Sequence, residues 1–131
     1  MSFVLDTNVC IAFLKGEDTA LRDRLLALDA RDLFLCSVVK AELIYGARHS
    51  ARVEANLAKL EAFFRPFESL PFDDRAAEIY GLVRSQLRRS GTPIGSNDLM
   101  IASIALAAEA TLISRNQAEF RRVVGLPLAE W

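Results

Sequence analysis

The sequence is poor in the residues and segments that define several classes of protein. Two cysteines in 131 residues are too few for a disulfide framework, so Cys10 and Cys36 are interpreted as small buried side chains of a cytoplasmic protein. A single histidine, His49, argues against a zinc site. No apolar run approaches the ~18 residues of a membrane span. No basic residue precedes the first apolar stretch, so a secretory leader is not expected either.

The chain also lacks an excess of charge of either sign. The chain has 16 basic and 17 acidic residues, which gives a net charge of -1. This balance neither predicts nor excludes a nucleic-acid partner, because acids gathered in a metal site would mask basic patches elsewhere. Apolar residues make up 52% of the chain, which is ample for a packed core. With no linker and no internal repeat, residues 1–131 are expected to form one domain.

Short apolar runs alternate with helical patterns along the whole chain. This alternation predicts an α/β fold, a three-layer α/β/α sandwich around a short, mostly parallel sheet of four to five strands. The strand order stays open, since two helices separate the second and third strands. Ser37 and Asp73 are expected to cap the helices that follow them. The predicted strands are 2–5, 33–36, 67–71, 111–114 and 125–128, and the predicted helices are 7–15, 19–29, 38–48, 51–65, 74–90, 97–109 and 117–122.

Three acidic residues stand among apolar neighbours. Asp6 ends the first predicted strand, which is where open α/β sheets place their ligands. Glu42 has only uncharged residues, Tyr45 among them, three and four positions away on its helix. Asp98 opens the most apolar helix of the chain. Because all three are expected to point to the interior end of the sheet, they are candidates for one shared site.

Buried carboxylates in such a group cannot all ionise at low cost unless a cation joins them. Oxygen ligands suit Mg²⁺ or Mn²⁺, and oxygen-bound Mg²⁺ most often handles phosphate groups. Each acid also has an ordinary interpretation when taken alone. Asp6 could cap a helix, Asp98 could be a first-turn acid favoured by the helix dipole, and Glu42 could pair with a buried arginine.

The order and spacing of several motifs resemble the PIN domain family, and more closely the VapC-type toxins of bacterial toxin–antitoxin pairs. The resemblance covers essentially the whole chain. The motifs are Leu5-Asp6-Thr7-Asn8, Ala41-Glu42-Leu43-Ile44-Tyr45-Gly46-Ala47, Leu70-Pro71-Phe72-Asp73, Pro93-Ile94-Gly95-Ser96-Asn97-Asp98, Thr111-Leu112-Ile113-Ser114-Arg115-Asn116 and the segment from Glu119 to Trp131.

This resemblance implies an Mg²⁺-dependent endoribonuclease that leaves a 5′-phosphate and a 3′-hydroxyl. It also implies a VapB-like antitoxin that blocks the site, a homodimer, and tRNA, with initiator tRNA as the leading candidate, as the substrate. Asp6 and Asp98 match the acids that hold the metal. Glu42 matches a third acid that acts directly or through water.

The fourth acidic position is where the chain departs from the family pattern. Many members carry Asp where this chain has Asn116, whose amide could accept a hydrogen bond from a water on the metal. Glu119, a helical turn further on, is a candidate substitute. The departure favours one Mg²⁺, with a second ion recruited by the substrate.

Four further residues are candidates for supporting roles. Thr7, Asn8 and Ser114 are expected to orient the carboxylates, with turn or cap chemistry as the ordinary alternative. Arg115 is the best candidate for RNA contact because it follows a strand end. Arg84, Arg88 and Arg89 are interpreted as a solvated helix face.

Two functions from other classes stay open beside the nuclease. One is a regulatory α/β domain that binds Mg²⁺ without cutting RNA. The other is a degenerate PIN fold that only binds proteins, an interpretation suggested by Asn116.

Overall fold

A computed structural model describes residues 1–131 and has a five-stranded parallel sheet at its centre. The strand order is β3-β2-β1-β4-β5, and every neighbouring pair is parallel. The α/β/α class and the parallel sheet predicted from the sequence are therefore confirmed. The strands are β1 (Phe3–Leu5), β2 (Leu33–Cys36), β3 (Glu68–Leu70), β4 (Thr111–Ile113) and β5 (Leu128–Ala129).

Seven helices connect and cover the strands. Helix α1 packs against α2 and α3, α3 packs against α4, and α5 packs along α6. None of them combines the length and the apolar content that a membrane crossing requires. They are α1 (Thr7–Lys15), α2 (Thr19–Leu26), α3 (Ser37–Arg48), α4 (Val53–Phe64), α5 (Asp74–Arg89), α6 (Ser96–Ala107) and α7 (Gln117–Phe120), with a short 3₁₀ turn at Ala30–Asp32.

The two helix caps expected from the sequence have different outcomes. Asp73 caps α5, because its Oδ1 accepts the backbone N–H of Ala76 at 3.0 Å. The expectation for Ser37 is wrong. Cys36 occupies the cap position of α3 without a side-chain bond, and Ser37 is already helical. The Ser37 hydroxyl donates instead to the Leu70 carbonyl at the end of β3, at 3.4 Å.

The central strands of the sheet lie at the centre of the hydrophobic core. β1 pairs with β2 on one side and with β4 on the other. Val4 and Leu112, one from each of two neighbouring strands, are fully buried within a single cluster of 27 side chains. The backbone N–H of Asp6 then donates to the Ile113 carbonyl at 3.0 Å, one residue beyond the end of β1. Asp6 and Ser114 therefore leave the sheet side by side at its carboxyl edge.

Candidate metal centre

Asp6 is held at the carboxyl edge of the sheet by two hydrogen bonds. Its Oδ1 accepts the backbone N–H of Thr7 at 2.8 Å, which makes it the cap of α1. Its Oδ2 accepts the hydroxyl of Ser114 at 2.7 Å, and both side chains are buried. The capping role and membership of an acidic site, which the sequence presented as alternatives, are thus compatible in one side chain.

Glu42 approaches the same edge from α3. The Thr7 hydroxyl donates to Glu42 Oε1 at 2.8 Å, so the residue after Asp6 connects β1 to α3. The fully apolar surroundings expected for Glu42 are only partly present. Tyr45 is 65% exposed, and Glu42 itself is half-buried. The carboxylate therefore lies at an accessible rim rather than inside the core.

Asp98 lies on the first turn of α6 and is linked to the loop after β4. The side-chain amide of Asn116 donates to Asp98 Oδ2 at 3.4 Å and to Glu119 Oε2 at 3.3 Å. The backbone N–H of Asn116 donates to the Ser114 hydroxyl at 3.0 Å. Asn116 thus acts as a donor between two acids, whereas the sequence suggested an acceptor for a water. The three-residue spacing of Asn116 and Glu119 was the available signal for this contact.

No basic side chain neutralises these acids. The salt bridges of the structure join Arg31 to Asp29, Arg65 to Glu61 and Arg115 to Asp18. The alternative in which Glu42 pairs with a buried arginine therefore does not describe this fold. The four carboxylates of Asp6, Glu42, Asp98 and Glu119 meet mainly hydroxyl and amide donors.

Burial and the neighbouring negative charges raise the pKa of two members of the cluster. The pKa of Asp98 is raised to about 6, first by burial, then by the negative charges of Asp6, Glu119 and Glu42 and by hydrogen bonding with Glu119. Burial also raises the pKa of Asp6, and the charge of Glu42 adds to that rise. The hydrogen bonds from Ser114 and Thr7 oppose it. Repulsion of this kind is relieved by a bound cation.

The possible metal ligands of the cluster are suited to a hard divalent cation. All of them are carboxylate oxygens, which Mg²⁺ and Mn²⁺ prefer, and no histidine or cysteine joins them as zinc would favour. As the side chains stand, no group of three or more acidic, histidine or cysteine residues is arranged so that it could hold a metal ion. The acids thus form a loose cluster, in which Mg²⁺ would keep several of its waters, as it usually does in proteins.

Arg115 and Asn8 lie beside the cluster. Arg115 forms a salt bridge with Asp18 and donates from Nε to the Trp131 carbonyl at 3.0 Å. Asn8 is exposed and lines a polar cleft with Lys15 and Arg115. Arg115 thus stabilises the start of α2 and the end of the chain in addition to facing solvent, and its contact with RNA stays a prediction.

The chain is similar to a family of known sequences over nearly its whole length. A sequence model described as PIN domain matches residues 3–126. The tRNA(fMet)-specific endonuclease VapC of Salmonella typhimurium is 37% identical over 131 residues, which cover 100% of this chain and 98% of the relative. Ribonuclease VapC2 of Rickettsia felis is 38% identical over 132 residues, with the same coverage of both chains.

Solved structures give the same similarity in three dimensions. The fold matches VapBC2 from Rickettsia felis, bound to a DNA fragment from its promoter, with a TM-score of 0.93 and 36% identity over 100% of this chain and 99% of that one. It also matches DNA-bound VapBC from Salmonella typhimurium with a TM-score of 0.94 and 37% identity over 100% and 98% of the two chains.

Proposed function

The chain belongs to the PIN domain family, and on this basis we propose that it is a divalent-metal-dependent endoribonuclease, the toxin of a VapBC-type toxin–antitoxin pair. The observation that carries the proposal is the gathering of four carboxylates, without a basic partner, at the carboxyl edge of the sheet. The relatives that match over the full length are named ribonucleases and endonucleases.

The roles of the residues follow from their contacts. Asp6, Glu42 and Asp98 would hold Mg²⁺, or Mn²⁺ in its place, with Glu42 acting directly or through water. When bound, the cation would polarise a phosphoryl oxygen and lower the pKa of a water molecule. Ser114 and Thr7 fix the orientation of Asp6 and Glu42 through their hydroxyl groups.

Proton transfer and charge balance complete the proposed chemistry. A carboxylate of the cluster takes the proton of the water that attacks the phosphodiester, and the 3′ oxygen leaves. Asn116 holds Asp98 and Glu119 together although they repel each other. Because the same Asn116 amide donates to both Asp98 and Glu119, we assign Glu119 as the fourth acid of the cluster. No covalent intermediate is required, since no Ser/His/Asp set is present to form one.

The proposed substrate is tRNA, with the initiator tRNA as the first candidate. Two relatives that this chain matches at 37% and 38% identity over its whole length carry the name tRNA(fMet)-specific endonuclease. The proposed setting is the cytoplasm, where tRNA is found, and the proposed assembly is a homodimer with an antitoxin.

The proposed antitoxin-binding surface is a groove that ends at the carboxylate cluster. This α1–α4 groove is lined by Ile11, Leu14, Leu43 and Leu60, has Lys15 and Lys59 at its rim, and includes Glu42. Its volume is about 490 Å³. Ile11 and Leu14 are exposed in the isolated chain. Because the matched solved structures are complexes of a VapC with a VapB, a VapB-like segment is the occupant we propose.

Cleavage of RNA by the purified protein tests the proposal. Wild type with Mg²⁺ is expected to cut tRNA, and Asp6→Asn and Asp98→Asn are each expected to lose about a hundredfold or more of that activity. The size follows because a metal in such a site contributes several kcal/mol to the transition state. The measurement is the rate of product formation on a denaturing gel, with and without EDTA.

A matched control uses an exposed acid outside the cluster. Asp23→Asn on α2 removes the same charge and is expected to cleave at the wild-type rate. Full cleavage by Asp6→Asn and Asp98→Asn would refute the assignment of the site. A wild type that neither cuts RNA nor binds Mg²⁺ in titration calorimetry would favour the protein-binding alternative instead.

A further inference from the structure

A basic pocket lies between α5 and the start of α6, outside the carboxylate cluster. This arginine pocket has a volume of about 350 Å³, and its lining includes Tyr80, Arg84, Arg88, Pro93, Ile94 and Ser96. We propose that it binds phosphate groups of the RNA strand that flank the bond to be cut. The inference rests on the proposed ribonuclease function and adds a substrate subsite to it.

The two arginines of the pocket are free to bind an anion. Arg84 and Arg88 stand one helical turn apart on the same side of α5. Neither belongs to a salt bridge of the structure, and no acidic residue lines the pocket. The sequence suggested a solvated helix face at these positions. Both residues are exposed, as that expectation requires, and the fold also brings them to one concave surface, closed on its far side by the loop before α6.

The guanidinium of Arg84 is held in place before any ligand arrives. Its Nη1 donates to the Tyr80 hydroxyl at 2.9 Å, and its Cζ lies 5.8 Å from the centre of the Tyr80 ring. Phe72 packs edge-on against the same ring, with 5.9 Å between the ring centres. The remaining guanidinium donors stay free. A planar arginine fixed in this way is suited to two-point recognition of a phosphate.

The pocket adjoins the candidate metal centre without being part of it. Ser96 is the first residue of α6, and Asp98 follows two positions later, on roughly the opposite side of a helix about 10 Å wide. Arg122 braces the connecting loop by donating from Nη1 to the Pro93 carbonyl at 2.9 Å. A strand that has its scissile phosphate at Asp98 and passes around the start of α6 would bring a neighbouring phosphate to the pocket, about one helix width away.

The charge distribution favours a subsite of this kind. Four carboxylates repel a polyanion, and the chain as a whole carries a net charge of -1. Binding of RNA therefore depends on local positive charge near the cluster. The two unpaired arginines supply that charge beside α6, whereas Arg115 is already engaged by Asp18.

Removal of both charges tests the proposal by direct binding. The variant Arg84→Gln/Arg88→Gln is compared with wild type in titrations of a fluorescent single-stranded oligoribonucleotide, in EDTA and at several salt concentrations. Loss of two phosphate contacts is expected to weaken binding about tenfold near physiological salt and to make the slope of log K against log salt about 1.4 less negative. The control Arg22→Gln/Arg75→Gln removes two exposed, unpaired arginines elsewhere and should bind as wild type does.

Cleavage gives a second readout that separates this proposal from the proposed function. With Mg²⁺, the loss in Arg84→Gln/Arg88→Gln is expected mainly in KM, with a smaller change in kcat. A wild type that does not cut RNA counts against the ribonuclease function, and the binding comparison then still decides the fate of the pocket. Equal affinity and equal salt dependence for wild type and variant would overturn the subsite and leave an acidic group of a protein partner as its occupant.

Discussion

At the scale of single residues, Asp98 shows how the carboxylate cluster lowers the stability of the folded chain when no metal is bound. Its pKa is raised from 3.8 to about 6, first by burial and then by the charges of Asp6, Glu119 and Glu42. Between these two values the folded chain holds a proton that the unfolded chain releases. The contribution of Asp98 to stability without metal therefore falls as the pH rises through this window, and its full penalty is present above a pH of about 6.

The direction of this pH dependence leads to a prediction for Asp98→Asn. In EDTA, the difference in unfolding midpoint between wild type and Asp98→Asn is expected to move against wild type as the pH rises from about 4 to about 6. At neutral pH the inactive variant should be the more stable protein, because asparagine removes one of four repelling charges. Thermal unfolding followed by circular dichroism measures both curves. Parallel curves across this pH range would show that Asp98 does not carry the strain assigned to it.

The acids of the carboxylate cluster could be singled out one by one from the sequence, but their contacts could not, and their role as metal ligands stays a prediction. Asp6, Glu42 and Asp98 stood out because acids among apolar neighbours are unusual. The bond from Ser114 to Asp6 joins positions 108 residues apart, and no local pattern indicates such a pair. Asn116 acts as a hydrogen-bond donor because α7 places the Glu119 carboxylate beside its amide. The arginine pocket at Tyr80, Arg84 and Arg88 depends on how α5 packs along α6. Both are properties of the packed chain.

At the scale of elements, two glycines differ in backbone conformation, one at the end of a helix and one inside a helix. Gly16 ends α1 in the left-handed region, with φ of 70°. Gly81 lies inside α5 with an ordinary helical backbone. A Cβ added at either position meets nothing within 4 Å. The two glycines thus differ in backbone conformation and not in available space.

An alanine at each position should therefore have opposite effects. Gly16→Ala is expected to lower the free energy of unfolding by about 1 kcal/mol, because alanine is strained in the left-handed region. Gly81→Ala is expected to raise it by about 0.5–1 kcal/mol, because alanine loses less entropy in a helix. Urea unfolding curves measure both changes. The same direction of change in both variants would contradict the conformational argument.

The elements themselves were largely predictable, and their misplacements have local causes. Periodicity located all five strands and seven helices to within a few residues. The last strand begins later than predicted because the chain turns at Gly125, where φ is 82°. The strand order was open because periodicity gives no pairing. The polar sequence of β3, whose first two residues are exposed, was the signal that it lies at an edge.

At the scale of the whole molecule, the α1–α4 groove connects an exposed apolar surface to the carboxylate cluster. Leu14→Glu places a carboxylate on this surface and is expected to weaken inhibition by the cognate antitoxin at least about tenfold, because a desolvated charge is costly in an apolar contact. Cleavage of RNA by the free variant should persist, since Leu14 lies near the end of α1, about two helical turns from the cap residue Asp6. The measurement is the antitoxin concentration that halves the cleavage rate.

The control for this prediction is another exposed apolar residue. Val124 is 83% exposed and lies outside the groove, so Val124→Glu should be inhibited as wild type is. If Leu14→Glu stays as sensitive as Val124→Glu, the antitoxin binds elsewhere on the molecule.

The position of β1 in the sheet has a consequence for the synthesis of the protein. β1 is made first, yet one of its two neighbours is β4, and Asp6 receives its hydroxyl donor from Ser114. A ribosome must therefore release the chain at least as far as Ser114 before Asp6 can receive this hydrogen bond and the proposed metal centre can assemble. Nascent chains that end before β4 are thus expected to lack the proposed cleavage activity, which would protect the translation machinery that makes them.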